Sequence, residues 1–538
     1  MAATDEKNPL LPHFIIVSPS NPGKNQPWKS PEPEKAAQFP LFSSPAETLR
    51  EASSLFHLSF PIALTALLLY SRSVLSMLFL GYLGDLALAA GALAIAFANI
   101  TGYSVLSGLS LGMEPLCSQS FGANQPKLLS LTLHRSVLFL LCSSIPISLL
   151  WLNMSKILLF LGQDSEITSL AQSFLIFSLP DLISLSFIHP LRIYLRSQGI
   201  TRPLTLAASV AAFLHLPANL LLVSHLRLGV PGVAAASAAS NLALLLFLLL
   251  HLHLRGDPEP TWRRPTRDCL SGWAPLARLA APSCVSVCLE WWWYELMILF
   301  CGILPDPKPA LASMGVLMQT TALVYVFPSS LSFGVSTRVG NELGANSPAR
   351  ARASAAVSVA LSAVMGFAAM GFAAGMRERW GRMFTDDGEI LRLTAAALPI
   401  VGLCELGNCP QTVGCGVLRG SARPAHAAGV NLGAFYLVGM PVAVAVGFGL
   451  GVGFTGLWMG LLAAQVCCAG LMLYVVGTTD WKAQAWRAQV LTGNPPAGPK
   501  DEEGGKVVRD EVMAVEEGKG AETCDEPLIS SRAVDIET

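Results

Sequence analysis

Between Ser54 and Val476 the chain alternates long apolar runs with short polar breaks, giving about twelve apolar segments. Each is close to the ~20 residues that a helix needs to cross ~30 Å of hydrocarbon. Their approximate spans are 54–79, 88–112, 128–152, 167–189, 203–223 and 230–252, then 279–303, 310–333, 353–375, 390–416, 425–447 and 454–476. The pattern predicts an all-α integral membrane protein with twelve transmembrane helices. The first fifty residues are polar and proline-rich (Pro9, Pro12, Pro19, Pro22, Pro27, Pro31, Pro33), so a disordered tail is expected there and no cleavable signal peptide.

An internal repeat divides the twelve segments into two sets. Phe79-Leu-Gly81 with Asp85 recurs as Phe300-Cys-Gly302 with Asp306, and Pro61 recurs as Pro282, all 221 residues on. Leu195-Arg196 with Gly199, Arg202 and Pro203 recurs as Leu418-Arg419 with Gly420, Arg423 and Pro424, and Phe121-Gly-Ala-Asn124 recurs as Leu343-Gly-Ala-Asn346. Agreement at several landmarks predicts two pseudo-symmetric six-helix lobes. An even helix number per lobe relates them by an axis along the membrane normal, an arrangement found in secondary transporters. The expected division is a disordered cytosolic tail (1–50), an N-lobe of helices 1–6 (51–255), a cytosolic inter-lobe loop (256–278), a C-lobe of helices 7–12 (279–479) and an acidic disordered cytosolic tail (480–538).

Composition agrees and removes other classes. The 538 residues are 52% hydrophobic and 13% charged, against roughly 25% charged in ordinary soluble domains, and the mean hydropathy is +0.52. Eleven of the charges lie in residues 1–51 and twenty in residues 480–538. The long middle stretch therefore has too few polar residues to cover a soluble globule. A net charge of −1, with arginines sitting singly in loops, gives no basic face for nucleic acid. The twelve cysteines lack metal-ligand spacing and read as small buried hydrophobes.

Lys and Arg are about twice as frequent in loops on the amino-terminal side (Lys127, Arg192, Arg196, Arg202, Arg263, Arg419 and Arg423 among them) as in the opposite loops (Lys156, Arg227, Lys308, Arg377, Arg379, Arg382, Arg392). Positive loops face the cytosol, so both termini are expected to be cytosolic. The sequon Asn153-Met-Ser155 falls on the opposite side, close to helix three.

Within the apolar segments acids are few, and each costs at least ~2.5–3.5 kcal/mol at the bilayer centre. Glu290 and Glu295 lie in helix seven, Glu405 in helix ten, and Asp181 is the comparable acid of the first half. Trp293 and Tyr294 follow Glu290 by three and four residues and share its face, whereas Glu295 is about 140° away around the helix. Glu405, Asn408 and Thr412 form one polar stripe, interrupted by Pro410, where a bend is expected. This combination suits a cation or proton site. The repeat supplies a control: 221 residues before Glu290, Glu295 and Glu405 stand Leu69, Val74 and Ser184. The acids are not needed to fold a six-helix lobe, so a function explains them better.

The run Trp291 to Tyr294 fits either an interfacial belt or a cavity wall for a flat or cationic ligand; its mid-segment place beside two acids favours the cavity. Arg338 and Glu342, in the loop expected after helix eight, read as a structural clamp between the halves. His57, His215, His225 and His251 show no ligand spacing and read as structural. Glu6 with Leu10 and Leu11 fits an acidic dileucine sorting pattern, and Asp525-Glu-Pro-Leu528-Ile529 is a looser version. Both favour a vacuolar or late-endosomal membrane, with the plasma membrane as the alternative.

Five stretches together resemble a known family: Phe79-Leu-Gly-Tyr-Leu-Gly-Asp-Leu-Ala-Leu-Ala-Ala90, Glu114-Pro-Leu-Cys-Ser-Gln-Ser-Phe-Gly-Ala123, Cys288-Leu-Glu-Trp-Trp-Trp-Tyr-Glu295, Arg338-Val-Gly-Asn-Glu-Leu-Gly-Ala-Asn346 and Val417-Leu-Arg-Gly420. They are similar to the multidrug and toxic compound extrusion (MATE) family, in its plant DETOXIFICATION branch, over roughly residues 50–480. The resemblance implies two lobes around a central cavity and proton-coupled export of a small organic solute from the cytosol. Glu290 matches the helix-seven carboxylate implicated in proton coupling in plant members, and Glu405 the helix-ten acid. Many bacterial members carry an Asp in helix one, where this chain has Leu64-Thr65-Ala66-Leu67, which favours coupling in the second lobe.

The sequence-based reading is therefore a proton-coupled antiporter acting as a monomer in the bilayer. Its proton-coupling residues are Glu290 and Glu405, and Glu295, Trp293, Tyr294, Asn408, Thr412 and Asp181 line the cavity. It needs no metal or cofactor beyond the proton gradient, and its partners are solute, protons, lipid and sorting adaptors at the tails. A lipid-linked saccharide flippase of similar architecture would want a cationic cavity, against these acids, and a non-transporting membrane regulator would leave their asymmetry unexplained. An intramembrane enzyme would need a catalytic set such as His-Glu-x-x-His within the helices, and none is present.

Overall fold

The computed structural model describes residues 44–254 and 263–493. Among them every regular element is helical. Twelve helices are long and apolar enough to cross a membrane: α1 (Pro45–Tyr82), α2 (Asp85–Gly122), α3 (Pro126–Leu152), α4 (Ser165–Ser197), α5 (Arg202–His225), α6 (Val230–Leu254), α7 (Ala274–Ile303), α8 (Pro307–Gly344), α9 (Pro348–Gly375), α10 (Gly388–Gly420), α11 (Pro424–Gly449) and α12 (Phe454–Gly477).

These helices overshoot the apolar segments because their polar flanks carry helix-starting chemistry. Ser44 caps α1, its hydroxyl accepting from the Glu47 N–H at 3.2 Å, with Pro45 in the first turn. The helix thus begins inside the stretch expected to be a tail. Asp480 likewise caps a helix over Trp481–Leu491, accepting from the Lys482 and Ala483 N–H groups. That helix packs on α8 and α9, and Gln489 donates to the Leu343 and Gly344 carbonyls at 3.2 and 2.9 Å. The expected disordered tail therefore starts with an ordered, docked helix. The expected inter-lobe loop also contains structure, a 3₁₀ turn at Arg267–Leu270 and the start of α7. Arg192, Arg196, Arg338 and Glu342, expected in loops, are in the last turns of α4 and α8. Helix α10 runs unbroken through Pro410.

Helices α1–α6 and α7–α12 form two lobes. Leu80, Leu140, Trp151 and Leu182 are enclosed in the first, and Met314, Leu398, Phe435 and Trp458 in the second. The internal repeat is visible in the packing: α4 lies against α6 as α10 lies against α12. Between the lobes, α1 meets α8 and α7 meets α2.

The closest approaches between lobes cluster at the end of the bundle where α1 begins. Gly122 lies on the Asn341 backbone and Gly344 on the Gln119 backbone, so a side chain at either would strike the other lobe's main chain. In lipid, small residues drive helix association by letting backbones touch. Further along the helices the Tyr70 hydroxyl donates to the Gln319 Oε1 at 2.6 Å, and the Trp292 indole donates to the Ile100 carbonyl at 3.3 Å. Ile100 lies in a π-helical turn, Asn99–Tyr103, where a widened backbone can offer a carbonyl sideways.

Candidate functional site

The C-lobe brings two carboxylates into one hydrogen-bonded chain. Glu405 of α10 is buried, at 3% exposure. The Asn408 amide donates to its Oε2 at 2.9 Å and the Cys409 thiol approaches the same oxygen at 3.7 Å. Thr412, one turn on, faces the Asn408 Oδ1 and the Gln411 Oε1, both at 3.4 Å. Gln411 in turn lies beside the carboxylate of Glu290 on α7, as does the Tyr325 hydroxyl of α8. Glu290 is partly exposed, as are Tyr294 and Tyr325, whereas Gln411, Asn408 and Thr412 lie buried behind them. Tyr294 senses both carboxylates. The chain from Glu405 through Asn408, Thr412 and Gln411 to Glu290 spans the lobe interior, and Gln411 extends it to Asn431 at 3.3 Å. No residue of it sits in an ion pair among the described residues; Arg419, near the end of α10, is the cation that Glu290 feels.

Four residues singled out from the sequence, Glu290, Glu405, Asn408 and Thr412, thus come together, and Tyr294 stands near both carboxylates. The others lie elsewhere. Trp293 is fully enclosed, its ring 5.7 Å from that of Phe435 and 6.3 Å from that of Tyr436. Glu295 is partly buried and turned away from the chain around α7. Asp181 belongs to the other lobe. Glu6, Leu10 and Leu11 fall outside the described residues. Tyr325, Gln411 and Asn431 are not singled out by the sequence reading, although each is a polar side chain within an apolar segment, and that was the available signal.

The N-lobe interior has a different polar core. Asp181 of α4 is 3% exposed and accepts from the Asn241 amide at 2.9 Å and from the Tyr103 hydroxyl at 3.4 Å. The Asn241 Oδ1 accepts from Arg72 at 2.9 Å, so this amide bridges acid and guanidinium. Arg72 sits in the middle of α1, buried, which corrects the expectation that the arginines lie in loops. Beside it, Ser76, Ser240 and Asn219 surround the His215 ring, each within 3.1 Å, in keeping with its structural reading.

A third cluster ties the lobes together at their closed end. Glu114 of α2 is held by Arg196 of α4 at 2.8 Å and approached by Arg419 of α10 at 3.4 Å. The two guanidinium groups stand 4.4 and 5.2 Å from the centre of the Phe333 ring. Cation–π contact of this kind is strongest away from water. Nearby, Arg338 pairs with Glu51 of α1 at 2.7 Å and with Glu342 at 3.2 Å, the clamp between halves that the sequence suggested.

Comparison with known proteins fits this architecture. The MatE family model matches residues 61–221 and 282–445, two stretches whose starts differ by the repeat offset. Protein DETOXIFICATION 51 of Arabidopsis thaliana is 66% identical over 447 residues, covering 83% of this chain and 84% of the relative. Protein DETOXIFICATION 52 of the same plant is 61% identical over 459 residues, covering 85% and 90%. The crystal structure of the eukaryotic MATE transporter AtDTX14 aligns with a TM-score of 0.79 at 30% identity, over 82% of this chain and 99% of that one. With the twelve-helix, two-lobe fold, these matches establish that the chain belongs to the MATE family of membrane transporters.

Proposed function

We propose that the protein exports organic solutes from the cytosol by proton-coupled antiport, with Glu290 and Glu405 as the proton-coupling pair. The observation that carries this reading is the hydrogen-bonded chain joining the two carboxylates inside one lobe without a partner cation in contact. An unpaired intramembrane acid is expensive unless it works. Glu290 lies at the partly exposed end and Glu405 at the buried end, so Glu290 is the carboxylate that a proton reaches first, and the amides and hydroxyl between the two couple their charge states by reorienting their hydrogen bonds. Protonation from the acidic side neutralises the face where solute rests and favours its release; loss of the proton on the cytosolic side resets the site. Each pH unit supplies ~1.4 kcal/mol per proton, about tenfold accumulation for one-to-one exchange of an uncharged solute.

The basic loops assign the end of the bundle where the lobes touch most closely to the cytosol, so this conformation is the one closed toward the cytosol. Both termini then lie in the cytosol, the lobes divide as α1–α6 and α7–α12, and the protein works as a monomer. The dileucine patterns support delivery to a vacuolar or late-endosomal membrane through sorting adaptors.

Untargeted metabolite comparison between cells with and without the protein identifies a solute. Uptake of that solute into inverted vesicles under an imposed pH gradient then tests the mechanism. The Glu290→Gln variant should lose pH-driven uptake; undiminished uptake contradicts the assignment.

A further inference from the structure

We infer that Asn431 and Tyr436, carried on a π-helical run of α11, form a bracket that positions Glu290. This rests on the reading of Glu290 as a proton-coupling carboxylate and adds two positioning residues to it. The run covers Leu432–Gly439, with Asn431 just before it and Tyr436 inside it. On an α-helix, residues five apart point about 140° away from each other. The i→i+5 bonding of a π-helix sets them side by side instead, so both side chains reach α7.

What they hold there is the backbone on either side of Glu290. The Asn431 amide donates to the Ser286 carbonyl at 3.3 Å and to the Ser286 hydroxyl at 3.1 Å. Within α7 that carbonyl is the one to which the Glu290 N–H donates. The Tyr436 hydroxyl donates at 3.0 Å to the Leu289 carbonyl, which belongs to the peptide bond entering Glu290. Asn431 is fully buried, and its Oδ1 accepts from Gln411 at 3.3 Å and from the Cys468 thiol at 3.4 Å. It therefore fixes the amide that lies beside the Glu290 carboxylate as well as the backbone that carries it. Trp293 packs against Phe435 and Tyr436 and limits rotation of α7 about its axis. Gly439, at the end of the run, makes room for it: a Cβ there would come within 3.0 Å of the Trp293 ring and 2.7 Å of the Ala464 side chain.

The N-lobe shows that the fold does not require this run. The matching residues, 221 earlier, are 211–218, and they lie in regular α-helix within Arg202–Asn219. There Val210 stands for Asn431, His215 for Tyr436 and Leu69 for Glu290. Each lobe has a further π-helical turn at nearly matching depth, Leu220–His225 and Ala445–Gly449, but the longer run is found beside the acid. Such turns are rare and gather at functional sites. A working side chain has to be held to about 0.5 Å by hydrogen bonds behind it. For Glu290 the donors to be met are the Gln411 amide and the Tyr325 hydroxyl beside it.

The titratable and charged groups that face Glu290 are Tyr294 of α7, Tyr325 of α8, Glu405, Cys415 and Arg419 of α10 and Cys468 of α12. The variants that test the bracket leave all of them in place. Infrared difference titration of the full-length protein in detergent reads Glu290 directly, as the carboxyl band that Glu290→Gln removes. Without the bracket the carboxylate loses alignment with its donors, which favour the ionised form. Tyr436→Phe should therefore raise the midpoint of this band by at least about half a pH unit, roughly threefold in proton affinity, and Asn431→Ala by at least as much. Phe435→Leu loosens the same packing but removes neither hydrogen bond; it should lower the melting temperature and leave the midpoint in place. An unmoved midpoint in Tyr436→Phe, or an equal shift in Phe435→Leu, overturns the bracket, as does the absence of any band that Glu290→Gln removes. If Asn431→Ala does not fold, Tyr436→Phe, which keeps the ring, decides alone. Uptake into proteoliposomes under a pH gradient separates the two readings. A shifted midpoint with uptake indifferent to Glu290→Gln keeps the bracket and removes the antiport assignment, and an unmoved midpoint with uptake lost in Glu290→Gln does the reverse.

Discussion

At matched depths in the repeat, the N-lobe places Leu69 and Val74 where the C-lobe has Glu290 and Glu295, and Arg72 where it has Trp293. At the inner end Arg192 takes the place that Cys415 holds four residues before the matching arginine, Arg419. The N-lobe balances its one interior acid, Asp181, through Asn241 against Arg72. The C-lobe leaves Glu290 and Glu405 with neutral hydrogen-bond partners. One backbone architecture thus carries a neutralised polar core on one side and a carboxylate chain on the other. Duplication preserves the packing, which depends on small residues and apolar volume, while the side chains that face the interior polar space are free to diverge.

The strongest way to break this comparison is at the carboxylates. Glu290→Gln and Glu405→Gln should each reduce pH-driven transport about a hundredfold or more, close to 2.7 kcal/mol, measured as solute flux into proteoliposomes under an imposed gradient. The double variant should be no worse than either single one, because the two act through one chain.

The second test concerns what the lobes share. Gly122→Leu drives a side chain into the Asn341 backbone and should slow transport about tenfold by preventing closure of that end. Distances between spin labels at Asn124 and Asn346 should lengthen, whereas an unchanged distance distribution contradicts the contact. Smaller still is Arg338→Ala. It strips Glu51 of its cation and leaves Glu342, 3% exposed, with Arg350 alone. The expected loss is about 1–3 kcal/mol, read as a lower melting temperature.

The sequence carried the fold well, because membrane crossing imposes a length and apolarity that no soluble element needs, and because two lobes with one offset repeat their landmarks. Twelve helices stand where twelve apolar segments predict them. It carried the candidate site in part: acids in apolar runs are conspicuous, so Glu290 and Glu405 stand out, and helical spacing puts Asn408 and Thr412 on one stripe with Glu405. Neutral partners from other helices were not found. Tyr325 and Asn431 act through tertiary placement, and Gln411 lies off the stripe on its own helix. Arg192 and Arg196 were assigned to loops because helices carry them past the apolar boundary, and Arg72 escaped because a lone cation inside an apolar run was not weighed beside the acids. Trp293 shows the converse error, since helical spacing alone cannot tell a cavity wall from a groove filled by Phe435.

The smallest expected effect sharpens the comparison most. Asp181→Asn removes the N-lobe acid but keeps a side chain that can hydrogen-bond Tyr103 and Asn241. It should lower thermal stability by about 1–2 kcal/mol and alter pH-driven transport less than about threefold.

Proton release accompanying solute uptake, followed with a trapped pH dye in proteoliposomes for wild type, Glu290→Gln and Asp181→Asn side by side, tests the central claim most directly. Coupling confined to the C-lobe predicts stoichiometric proton movement in wild type and Asp181→Asn and none in Glu290→Gln. Proton movement that survives Glu290→Gln and vanishes in Asp181→Asn would place coupling in the N-lobe and contradict the account.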